Sequence, residues 1–103
     1  MVEPIILKDY IKYSPGSVVS KTLKQNPAGT ITLFAFDPGQ GLSEHSAPFD
    51  AVVQVIEGEG SFIIGGEEHN LKEGELIIMP ANVPHAVKAV QRFKMLLIML
   101  RAS

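Results

Sequence analysis

The chain has no cysteine. That excludes a disulfide framework, a thiolate zinc site and a cysteine nucleophile. It has no excess of positive charge either: nine Lys and Arg stand against eleven Asp and Glu, and the basic residues are scattered rather than gathered into a stripe. Binding to nucleic acid or to an anionic membrane has no electrostatic footing on such a surface. No apolar run approaches the length of a membrane-spanning helix, the longest candidate being MLLIML at 95–100. The opening stretch MVEPIILKDYIKYSP carries neither the charged start nor the long apolar segment of a secretory leader, so a cytoplasmic location is expected. There is no phosphate-binding Gly-Lys-Ser loop, no nucleophile elbow and no dinucleotide glycine fingerprint.

What the chain does have is punctuation. Pro15-Gly16, Asn26-Pro27, Pro38-Gly39, Gly58-Glu59-Gly60, Gly65-Gly66, Gly74 and the stretch from Pro80 to Pro84 divide 103 residues into short pieces. Between them lie runs of strand formers: TITLFAF at 30–36, AVVQVI at 51–56, SFII at 61–64, ELIIM at 75–79 and KMLLIML at 94–100. Many short strands with regular turns describe an all-β sandwich or barrel. Gly65-Gly66 accepts the positive φ of a tight hairpin turn, so residues 52–56, 61–64 and 68–71 are expected to form a small meander. Residues 7–13 offer at most a helical turn. A length of 103 residues fits a single domain spanning the chain, with residues 1–16 as an N-terminal arm.

Several strands are apolar on both faces. In 95–100, Met95, Leu97 and Met99 point one way and Leu96, Ile98 and Leu100 the other; in 30–36, Phe34 and Phe36 oppose Ile31, Leu33 and Ala35. A strand in a half-solvated sheet alternates apolar with polar residues. Double-faced burial calls for a second cover, and a homodimer is expected to supply it. The alternative cover is the arm itself, through Ile5, Ile6, Leu7 and Ile11.

Two segments carry the chemistry. The first runs from Gly39-Gln40-Gly41 through Glu44-His45-Ser46-Ala47 to Asp50-Ala51, Gln54 and Gly58. The second is Gly74-Glu75 through Met79-Pro80-Ala81-Asn82-Val83-Pro84-His85. Their order, glycine-proline framing and single histidines resemble the two motifs of the cupin family, and the likeness spans most of the chain. The resemblance implies a double-stranded β-helix, a jelly-roll β-barrel in one domain. It also implies a site inside the barrel where family members often hold a metal with two histidines and a glutamate from the first motif and a histidine from the second. Those positions match 45, 47, 51 and 85 here. Two of them are alanine, Ala47 and Ala51, and Ala89 stands where the second motif ends in asparagine.

The expected pocket is therefore lined by His45, His85, Ala47, Ala51, Phe36, Met79 and Met95. Period-two alternation sends Ala47, Ala51, Val53 and Val55 inward with His45. Two imidazoles hold a metal poorly, so a divalent transition ion (Zn, Fe, Ni, Mn or Cu) would need a third ligand. Gln54 is the candidate, provided that a bulge turns it inward. Glu44 and Asp50 flank the motif one residue out of phase, and His69 has no counterpart in it. The primary expectation is a barrel that binds a small organic ligand through a reduced His45/His85 site. A metal-dependent dioxygenase, isomerase or decarboxylase is the alternative that the resemblance admits, and a vestigial site on a surface-interaction module is the third.

Overall fold

A computed structural model describes residues 2–102; Met1, the first residue of the expected arm, and Ser103 lie outside the described residues. After a single helical turn, α1 (Leu7–Tyr10), come nine strands: β1 (Val18–Asn26), β2 (Gly29–Phe36), β3 (Gly41–His45), β4 (Phe49–Glu57), β5 (Glu59–Ile64), β6 (Glu67–Lys72), β7 (Leu76–Met79), β8 (His85–Lys88) and β9 (Phe93–Arg101). They form two antiparallel sheets, ordered β1-β2-β9-β4-β7 and β3-β8-β5-β6. The chain is the jelly-roll β-barrel that its strand pattern describes.

The inner faces of the two sheets meet in one apolar core. From the larger sheet come Phe36, Ala51, Val53, Val55, Met79, Phe93 and Met95, and from the smaller come Phe62, Leu71, Val87 and Ala89. Period two does the sorting: in β4 the odd residues 51, 53 and 55 are buried while their even neighbours are only half-buried. The expected meander does not form as one unit. Residues 52–56 pair with β7 and β9, whereas β5 pairs with β6 and β8. The chain passes from one sheet to the other at Gly58, whose φ of 78° is in the left-handed region and whose missing Cβ would lie 2.7 Å from the Arg92 carbonyl oxygen. The hairpin at Gly65-Gly66 is present, with φ values of 58° and 83°.

The outer face of the larger sheet is covered in part by the N-terminal arm. Ile11 is buried with Leu33 and Ala35, and Leu7, Tyr13, Val19, Ile56 and Leu96 pack around them. A polar cluster pins the arm there. The Tyr13 hydroxyl donates to the Glu57 carboxylate at 2.6 Å, and the buried Lys94 ammonium lies 3.7 Å from the same carboxylate and donates to the Lys8 carbonyl. Burial, then the hydrogen bond to Glu57 and its charge, push the Tyr13 phenol well above its ordinary value, so it stays protonated as the donor. Away from the arm the same face is bare: Leu76, Ile78 and Leu100 are 53%, 59% and 50% exposed. Among the described residues no helix is long and apolar enough to cross a membrane.

Candidate functional site

His45 closes β3 and His85 opens β8, and these two residues are register partners across the smaller sheet. His45 thus ends a strand, and residues 46–48 carry the chain over to β4 in the other sheet. The register between β3 and β8 slips between Leu42 and His45. The slip bends the end of β3 and sets the two rings edge to face, with centroids 4.4 Å apart and planes inclined at 68°. His85 follows the turn between Pro80 and Pro84, in which Asn82 adopts a left-handed φ of 64°. Asparagine accepts that conformation better than most residues with a side chain, so the turn survives without glycine.

Both rings are held by their own loops. His45 Nδ1 lies 2.8 Å from the Ser43 carbonyl and His85 Nδ1 lies 3.1 Å from the Val83 carbonyl. A carbonyl oxygen can only accept, so each Nδ1 is the donor, and Nε2 is the nitrogen that the neutral ring has left to accept with. His85 is buried, 8% exposed, whereas His45 is exposed. The pair marks the mouth of a cavity that runs into the barrel.

Ala47, Ala51, Met79 and Met95 line that cavity with the two imidazoles, joined by Met99, Phe49 and Leu97. Of the expected lining residues, Phe36 is elsewhere: it lies deeper in the core, stacked on Phe93 with centroids 4.7 Å apart and on Phe34. Met99, Phe49 and Leu97 lie outside the expected lining, and Met99 is the one set directly opposite Ala51. Its signal was its place on the inward face of β9 beside Met95 and Leu97, opposite Ala51. The cavity is small, about 40 Å³. That is room for roughly three waters, far short of the roughly 300 Å³ at which pockets for drug-sized ligands begin.

Gln54 is not brought to the cavity. No bulge intervenes between Ala51 and Gln54, and their partners on β7 and β9 stay in step. Its side chain stays on the outer face and donates to the Gly74 carbonyl at 3.3 Å. Asp50 is likewise out of phase and accepts from the Ala81 backbone N–H at 2.9 Å, bracing the loop that leads to His85. His69 pairs with Glu67 at 3.3 Å on β6. Among the described residues no three His, Cys, Asp or Glu converge on one point. The donors present therefore do not complete the three-histidine, one-carboxylate set that the motif positions would hold.

A wider groove of about 350 Å³ lies beside β5 and β6, between Glu59, Ser61, Glu68, Asn70 and Gln91. It contains neither paired histidine. Its buried polar group, Ser61, is satisfied by donating to Glu68 at 2.6 Å. Two imidazoles lining one apolar cavity make the barrel mouth the stronger site.

The model of the cupin domain matches residues 32–100. Among solved structures, a conserved protein of unknown function from Streptococcus pyogenes is 34% identical over 100% of this chain and 90% of its own, with a TM-score of 0.94. A cupin 2 conserved barrel domain protein from Leptotrichia buccalis is 41% identical over 92% of this chain and 46% of its own, with a TM-score of 0.90. A cupin superfamily protein from Desulfitobacterium hafniense is 29% identical over 98% of this chain and 93% of its own, with a TM-score of 0.92. No curated protein matches the chain.

Proposed function

The chain belongs to the cupin family, and we propose that it is a small-molecule-binding barrel whose polar site is the His45–His85 pair. One observation carries this reading: both rings spend Nδ1 on their own loops and leave Nε2 free beside an apolar cavity. Two imidazoles held by their own loops, each with Nε2 as the acceptor of its neutral form, favour a ligand with an O–H or N–H donor on a compact apolar body. The cavity volume admits only a few atoms of it, so most of such a ligand stays at the mouth, against exposed His45. Titration of the protein with phenol and short alcohols, followed by the imidazole 15N resonances, is the test. The Nε2 signals of both residues are expected to move together, and the response to vanish in the His45→Ala/His85→Ala variant. Binding that leaves both Nε2 resonances in place would sink the reading.

A second copy of the chain is proposed as the cover for the bare half of the outer face. The arm buries Leu33 and Ala35 but leaves Leu76, Ile78 and Leu100 exposed, and β7 is one of the two edge strands of its sheet. An exposed apolar strip along an edge is where a partner gains most from burial. Sedimentation is expected to give a dimer for the native chain and a monomer for Ile78→Lys; a native monomer at high concentration removes the proposal.

A further inference from the structure

Along β4 the inward-facing residues grade from the solvent to the core. Phe49 is half-buried, Ala51 is 4% exposed, and Val53 and Val55 are fully buried. Phe49 is thus the outermost of the series. In the chain it stands between Ala47 and Ala51, and all three line the cavity with the two imidazoles. The alanine side chains end at Cβ and leave space around them, yet the cavity holds only about 40 Å³. Phe49 is the one phenyl ring in its wall, and it stands at the rim.

The ring is also held from outside. Phe49 and Arg101 are register partners between β4 and β9, and the Arg101 guanidinium lies 5.5 Å from the ring centroid, within reach of a cation–π contact. Arg101 is fixed in turn: its Nε donates to the Pro27 carbonyl and its backbone N–H to the Ala28 carbonyl, both at 2.9 Å. The other large side chains at this end respond differently. Met79 and Met99, which flank Ala51 on β7 and β9, are unbranched and bend to suit what they meet. A phenyl ring moves as one block.

We propose that Phe49 is the specificity-determining residue of the barrel mouth: its ring sets the largest ligand body that reaches the His45–His85 pair. The inference rests on the small-ligand reading of that pair and adds a size limit to it. A single aromatic ring passes the rim, and a fused second ring does not.

The bland account is that Phe49 merely covers the end of the core. Loss of a cover weakens two related ligands alike and leaves the ratio of their affinities where it was, so the ratio is the quantity to measure. Phenol and 2-naphthol are titrated separately into the native chain and into Phe49→Ala, each followed by the imidazole 15N resonances. The native chain is expected to bind phenol more tightly. In Phe49→Ala the ratio of the two dissociation constants is expected to move toward 2-naphthol by roughly tenfold or more. Phe49→Leu keeps an apolar side chain at the rim and is expected to fall between; it decides alone should the alanine variant fail to fold. An unchanged ratio with phenol still bound overturns the inference and spares the small-ligand reading. A native chain that takes 2-naphthol as tightly as phenol overturns it as well. Absence of any phenol response in the native chain and in both variants overturns the inference and the small-ligand reading together.

Discussion

The two ends of the barrel interior share strand β9 and do opposite things. At one end Phe93 stacks on Phe36 at 4.7 Å and meets Phe62 edge-on at 5.9 Å, and all three rings are fully buried. Gly60 lies against Phe93 so closely that a Cβ there would sit 2.6 Å from the ring. At the other end β9 arrives with Met99, β4 with Ala51 and β8 with His85. There the side chains shrink to alanine, flex as methionine or carry nitrogen. Along β9 the step from the close-packed plug at Phe93 to the cavity wall at Met95 is two residues. Shape complementarity is concentrated at the aromatic end, which leaves the imidazole end free to be loose and polar.

The sharpest break of that contrast is Phe93→Ala. It removes the centre of the aromatic cluster and is expected to cost about 3–5 kcal/mol, read as a lower urea midpoint. A loss below about 1 kcal/mol would mean that the plug collapses around the gap and is not the rigid end of the barrel. Gly60→Ala probes the same end from the opposite direction. Its backbone φ is not in the left-handed region, so the obstacle is the Phe93 ring alone, and that ring is wedged between Phe36 and Phe62. Overpacking is expected to cost about 1–3 kcal/mol, and a neutral outcome would show that the ring can yield.

The aromatic end and the imidazole end were not equally legible. The inward run of β9 and the alternation in β4 follow from period two, and the glycine-proline frame of the two motifs marks both histidines. β1 and β3 escaped notice because their sequences, VVSKTLKQN and GLSEH, are largely polar. β1 is an edge strand, and its lysines are what an exposed edge requires. The meander failed for a different reason. Hydrophobic pattern reports which face is buried, not which strand lies next door, and Gly58 switches sheets within a single residue. Gln54 could be placed only once the register excluded a bulge. The covered outer face divides between two causes that composition alone could not separate: the arm over Leu33 and Ala35, and an uncovered strip around Ile78.

The smallest expected effect sharpens the comparison most usefully. His45 is exposed, and its one hydrogen bond reaches a carbonyl two residues away in its own strand. Replacing an exposed side chain changes stability by about 0.5 kcal/mol or less, so even with its edge-on contact to His85 lost, His45→Ala is expected to unfold at nearly the native urea midpoint. The Ser43 carbonyl that it releases can turn to water. His85 differs, because it is buried and its loss leaves a cavity and an unpaired Val83 carbonyl behind it. The single His45 variant is thus the one in which loss of binding can be read as loss of binding, since the plug at the far end still holds the barrel. A drop above about 1 kcal/mol in His45→Ala would show that the two ends are mechanically coupled and that the imidazole pair helps to close the fold as well as to meet a ligand.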